Sequence, residues 1–244
     1  MFVLVLDATG FVGFPAAQAL VRAGHIHHLI PTLDVVIDAV RALAEALAAT
    51  SAAALSYIHS SGSWVHGDSR TAPITDTTPL AAPQALVAWR PATEQAATAL
   101  NGVVVRPAMV CGRGGSLFEP LFKGARAGRV VWPGRPGGRL PLVHCDDLAD
   151  LYVRVADGAQ ALGGLAFDAA DGISEATDAM LGRLVEVSGA SGYEYKEPEN
   201  LFEEAITPSC VLRPYLARSL LGWVPKKAGL TDNMEVYYHA SIAA

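Results

Sequence analysis

Residues 3–24 read VLVLDATGFVGFPAAQALVRAG, and the reading of this stretch decides the fold. Val3 to Leu6 is a short continuous apolar run, the pattern of a strand buried on both faces. Gly10 and Gly13 then let the backbone turn sharply and approach a ligand closely. Pro15 to Arg22 has the composition of a helix start and body. Strand, glycine turn and helix in this order leave unpaired N–H groups and the positive end of a helix dipole at the turn, which suits a pyrophosphate. The spacing is D-x-x-G-x-x-G, with Asp7 where the usual first glycine would stand. Taken alone, the motif is also readable as a tight strand-to-helix turn without a ligand.

A chain of 244 residues can bury a full core, and the expectation is one α/β domain with a small appended lobe. Charged residues make up 17% and the net charge is -6, with no long basic run. That composition argues against a nucleic-acid partner and against an electrostatic hold on an anionic membrane. No apolar run reaches membrane-spanning length, and the apolar N-terminus is better explained as the first strand than as a leader, so the sequence reads as cytoplasmic. Cys111, Cys145 and Cys210 show no C-x-x-C spacing and indicate neither a disulfide framework nor a zinc site. His25, His27 and His28 lack a spaced carboxylate or cysteine to complete a metal tetrahedron. They are expected in a solvated turn, and no metal is expected.

Further along, two junctions look too short. A doubly wound fold needs a second strand after the first helix, usually ending in an acid that takes the ribose hydroxyls, yet only about ten residues separate Gly24 from Asp34. The strand-like run Leu33 to Val40 then passes into the helical run Arg41 to Ala49 with no turn between them. Both places suggest absent residues. Beyond them the sequence predicts a strand at 54–59, a polar turn at 60–67, a covering loop at 68–83, and a helix at 84–100 restarted at Pro91. It further predicts a strand at 102–107, a helix at 118–128, irregular strands at 130–134 and 138–143, and a helix at 146–156 capped by Asp146 or Asp147. A strand at 165–168 and helices at 175–187 and 208–221 complete the pattern.

The segments DATGFVG, SSGSWVHG, RPAMVCGRGG and PLVHCDDLADLYV, in this order and with a late LGWVP, resemble the extended short-chain dehydrogenase/reductase superfamily, of the NAD-dependent epimerase/dehydratase type. The resemblance implies a Rossmann-type doubly wound parallel sheet with a small C-terminal substrate lobe. On that basis residues 1–190 form the NAD(P)-binding domain, with 116–145 partly contributing to the lobe, and 191–244 form the lobe and closing helix. It also implies NAD or NADP as cofactor, a small-molecule substrate, and a possible homodimer through the alanine-rich helix at 84–100. Asp7, Thr9, Gly10, Phe11, Val12, Gly13, Pro107 and Val110 would line the cofactor.

The family's chemistry uses a tyrosine with a lysine four residues on, and this sequence has no such pair. Aligned on Glu94, Leu86 replaces the tyrosine and Arg90 the lysine; aligned on the aromatic, Trp89 and Thr93 do. The usual catalytic Ser/Thr falls on Gly62, flanked by Ser61 and Ser63. Arg90 is the candidate to contact cofactor ribose or a substrate oxyanion. Ser61, Ser63 and His66 are the candidates at the reacting centre, beside Trp89, with His66 the nearby group able to exchange protons near neutral pH. Three functions remain open: a nicotinamide-dependent oxidoreductase or epimerase, a redox-neutral lyase or cyclase, and a cofactor-binding protein that has lost catalysis.

Overall fold

The computed structural model describes residues 2–6, 11–30, 56–113 and 116–243. β1 (Phe2–Leu6) and β2 (Ile26–Ile30) pair in parallel, with Phe2 beside Ile26 and Leu6 beside Ile30. α1 (Gly13–Arg22) lies between them in the chain, so the opening stretch is a β-α-β unit. The second strand is therefore present at 26–30, correcting the expectation that this junction is too short. Gly24, at φ 83, turns the chain from helix into strand. The histidine run is corrected with it: His27 and His28 belong to β2 and not to a turn, while His25 Nε2 lies 3.1 Å from Asp157. The strand expected at 33–40, the helix at 41–49 and the second junction lie outside the described residues.

The central sheet takes the order β3 (Ile58–Ser60), β5 (Val103–Pro107), β9 (Ala166–Ala169), all parallel. Every residue of β5 is buried, as its unbroken Val-Val-Val run requires, so layers cover both faces. α2 (Arg90–Ala99), with Pro91 in its first turn, packs on β3 and β5. α4 (Cys145–Gly158) packs along α1.

The remaining strands form smaller ladders. β4 (Ser69–Ile74) runs within the stretch expected to be a covering loop, and pairs in parallel with β12 (Cys210–Leu212). β6 (Met109–Cys111) and β10 (Ser174–Ala176) flank β8 (Arg139–His144). β7 (Val130–Pro133) pairs with β11 (Tyr193–Lys196). The helix expected over 208–221 is thus a strand followed by α7 (Leu216–Leu221). Pro214 keeps the helix from extending upstream, and Gly222, at φ 60, ends it. α3 (Glu119–Arg126), α5 (Thr177–Ser188), α6 (Leu201–Ile206) and α8 (Met234–Ala243) complete the described elements.

Two hydrophobic clusters fill the interior. One centres on Val103, Val105, Leu148, Leu151 and Phe167 beneath the central sheet. The other gathers Phe118, Trp132, Leu181, Leu184 and Met234 around α3, β7, α5 and α8.

α4 is capped by His144 and not by either aspartate: its Nδ1 accepts from the Asp146 N–H at 3.1 Å. The cap therefore needs an unprotonated Nδ1. Burial holds the His144 pKa below its usual 6.5, against the pull of Asp146. The unfolded chain then binds the proton more readily than the folded one, so stability is lost as pH falls below about 6.5 toward the lower folded value. His144→Asn supplies a cap that does not titrate. Thermal melts should show the wild type losing ground to this variant between neutral pH and pH 5.

Candidate functional site

The C-terminal ends of β3 and β5 and the start of α2 meet at one edge of the parallel sheet, where an open α/β fold places its ligands. β3 leads into Ser60-Ser61-Gly62 and then a short 3-10 turn at Ser63–His66. The Ser61 N–H donates to the Val105 carbonyl at 2.8 Å, which ties the turn to the end of β5. Its hydroxyl is buried and has no partner among the described residues. Ser63 is 5% exposed and borders a cavity of about 20 Å³ with Trp64, Met109 and Cys210. Beneath the turn the buried Tyr152 hydroxyl lies 2.6 Å from that of the exposed Ser60.

Arg90, at the first residue of α2, lies over this turn. A Cβ at Gly62 would collide with Arg90 Nη1. Gly62 has φ 176, which any residue adopts, so it is the guanidinium and not the backbone that leaves room for no side chain there. Gly62 and Arg90, distant in sequence, thus share one space at the sheet edge. The Arg90 guanidinium also sits 5.6 Å from the ring of the exposed Trp89, and burial lowers its pKa while Glu94 opposes the shift. Leu86 is half-buried in the short 3-10 turn before α2 and offers no acid–base group. His59, on β3, is held below its usual pKa by burial, with Glu94 opposing and Arg90 adding to the effect.

His66 is placed differently from the serines. Its side chain is fully buried, and Nε2 lies 2.9 Å from both carboxylate oxygens of Asp168 on β9. Asp168 also lies 4.0 Å from Arg106 Nη1, and Arg106 donates to Glu94 Oε2 from Nε at 3.0 Å and Nη2 at 2.7 Å. Asp76 joins the network by accepting from the Asp168 N–H at 2.8 Å and from the Tyr215 N–H at 2.7 Å. The segment after β4 is thereby fixed to the sheet and to the start of α7. His66 is thus engaged by a carboxylate that lies 102 positions away in sequence. The signal for Asp168 in the sequence was a lone acid closing the apolar run LAF, since a buried charge calls for a partner.

At the glycine turn, Asp7, Thr9 and Gly10 lie outside the described residues. Phe11 and Val12 are half-buried against the main core, and Gly13 opens α1. No described side chain caps that helix, and its first turn carries no acid, which keeps it receptive to an anion. Pro107 ends β5 with its carbonyl close under Gly62. Val110 lies in the core of β6.

On the far side of the 3-10 turn, a groove of about 680 Å³ runs between α3 and α6 over β7. Ile206 borders both this groove and the cavity beside Ser63, and Phe202 meets Trp64 edge-on at 6.1 Å. His144, Cys145 and Asp146 bring three metal-ligating atoms together, but each is engaged otherwise. His144 caps α4, burial pushes the Cys145 thiol up to about 11, and Asp146 pairs with Arg113 at 2.7 Å.

A parallel sheet closed by helices, with a β-α-β unit at the start of the chain and a polar turn at the sheet edge, defines a Rossmann-type α/β fold. More particularly, the fold is that of extended short-chain dehydrogenase/reductases of the epimerase/dehydratase type. The human epimerase family protein SDR39U1 (isoform 2), solved with NADPH, superposes with a TM-score of 0.81 at 17% identity, over 98% of this chain and 99% of that one. A putative epimerase from Burkholderia cenocepacia gives 0.81 at 18% identity, over 99% and 98%. A dTDP-glucose 4,6-dehydratase from Bacillus anthracis in complex with NAD gives 0.83 at 12% identity, over 100% and 97%. No family model matches the sequence, and no curated protein matches it.

Proposed function

We propose that this chain binds NAD or NADP at the C-terminal edge of its parallel sheet and acts as an epimerase/dehydratase-like oxidoreductase on a small carbonyl or alcohol. The observation that carries this reading is Arg90 lying over Gly62, a half-buried cation at the sheet edge, at the position that falls on the family's lysine when the helix is aligned on Glu94. Fold neighbours solved with NADPH or NAD support the cofactor. When bound, the dinucleotide supplies hydride chemistry. The N-terminus of α1 holds its pyrophosphate, with Gly10 and Gly13 as the turn. Arg90 orients the ribose or steadies a developing oxyanion, and Ser61 and Ser63 hydrogen-bond the substrate oxygen. His66 holds the turn against Asp168 through Nε2, and its Nδ1, without a partner among the described residues, is the group that exchanges a proton with substrate.

The same edge favours a second reading, a cofactor-binding protein without turnover. Among the described residues it offers no phenol next to Arg90, and a guanidinium is a poor proton donor. Following NADH and NADPH absorbance in the presence of a panel of aldehydes and ketones separates the two: consumption supports the oxidoreductase, and binding without consumption supports the second reading. A homodimer would use the exposed face of Ala88, Ala92, Ala96 and Ala99. Among the described residues no helix is long and apolar enough to cross a membrane.

A further inference from the structure

The groove between α3 and α6 has a volume of about 680 Å³, within the range of roughly 300–1,000 Å³ usual for small-molecule sites. Its walls are apolar, with Leu121, Val131, Trp132, Pro133, Phe202 and Ile206 facing it. The floor is rigid, because Trp132 is 5% exposed and stacks on Phe118 with ring centroids 6.2 Å apart and planes 15° apart. At the end next to Ile206 it adjoins the turn that carries Ser63 and Trp64.

Its lysine is neutralised from within. Lys196 Nζ lies 2.8 Å from Glu203 and 3.1 Å from Glu199, and all three residues line the groove. The other lining cation, Arg129, is exposed at the rim and only loosely paired, 3.7 Å from the equally exposed Glu194. The helix ends that could greet an anion are also occupied. At α3 the Phe118 N–H donates to Ser116 Oγ at 3.3 Å and the Glu119 N–H to the Ser116 carbonyl at 3.0 Å. The next residue, Pro120, has no N–H, and Glu119 adds a negative charge. At α6 the Asn200 side chain takes the Glu203 N–H at 3.0 Å, while Glu203 takes the Glu199 N–H at 2.9 Å. A diphosphate entering here would lose its hydration and would have to break existing pairs to gain charge-assisted hydrogen bonds.

We propose that this groove is the substrate site and that it takes an uncharged, largely apolar small molecule, and not a nucleoside diphosphate. The assignment of the occupant as substrate rests on the oxidoreductase reading above; the groove and its ligand chemistry do not.

The test uses the full chain and the uncharged fluorophore N-phenyl-1-naphthylamine, titrated with UDP or dTDP as competitor. The expected result is saturable binding at one site, at least a tenfold loss of affinity in Ala127→Trp, which fills the groove from an exposed position, and no displacement by either nucleotide. Leu117→Glu, also at an exposed position on the rim, provides a second variant with the same expected loss. Probe binding unaffected by both variants, no binding at all, or displacement by UDP or dTDP at micromolar concentration would overturn the proposal. Nicotinamide fluorescence is read on the same samples. Probe binding that is sensitive to Ala127→Trp without any NADH or NADPH response would uphold the groove and overturn the cofactor reading.

Discussion

Replacing Arg90 with alanine is expected to weaken dinucleotide binding by about 10- to 100-fold, the equivalent of about 1.5–3 kcal/mol for a hydrogen bond made by a charged group. The melting temperature should change little, because the guanidinium is half-buried and accounts for no side-chain hydrogen bond among the described residues. Arg90→Lys should recover part of the affinity, since it restores a cation at the same place while losing the planar fork. Gly62→Ser is the sharper variant. Its side chain competes for the space now filled by Arg90 Nη1, and the end of a long side chain moves away readily, so the protein should fold while cofactor affinity falls with Arg90 still present. Calorimetric titration of the three variants decides the matter, and affinity unchanged in Arg90→Ala removes Arg90 from the cofactor site.

Glu94→Ala is expected to cost about 3–5 kcal/mol of stability, the usual range for removing one partner of a buried ion pair. Arg106 is 7% exposed and Glu94 3%, and the carboxylate takes two of the guanidinium's donors. Without it the cation retains the Asp76 carbonyl at 3.3 Å and Asp168 at 4.0 Å. At roughly 2–4 °C per kcal/mol for a chain of this size, the melting temperature should fall by on the order of 10 °C. Replacing both residues together, as Glu94→Leu with Arg106→Met, should cost less than Glu94→Ala alone, because no buried charge is then orphaned. A double variant less stable than Glu94→Ala would contradict this account of the network.

Much of the sheet was legible because continuous apolar runs bounded by turn residues, such as Val103 to Val105, admit few alternatives. β2 was not, since Ile-His-His-Leu-Ile interrupts its apolar run with two polar residues, and three residues are all that separate it from α1. β12 was hidden because Cys-Val-Leu is too short to display a period, and the helical run after Pro214 masked it. At the site, local sequence gave the turn and the helix that carry the candidates but not their partners. The pairing of His66 with Asp168 spans 102 residues, and the fit of Arg90 against Gly62 depends on how β3 and α2 approach each other. Both are products of topology. The cap of α4 was misread for a local reason: a buried histidine accepts the N–H of Asp146 itself, so the helix starts before the aspartates expected to cap it.

The central claim is that the glycine turn and the sheet edge hold a nicotinamide dinucleotide. Calorimetric titration of the wild-type chain with NADH and NADPH, followed by competition with ADP-ribose, tests it most directly. The account predicts saturable one-to-one binding of at least one dinucleotide, displaced by ADP-ribose and abolished in a folded Gly10→Val variant. Absence of binding heat for both dinucleotides at millimolar concentration, or unchanged binding in Gly10→Val, would contradict it.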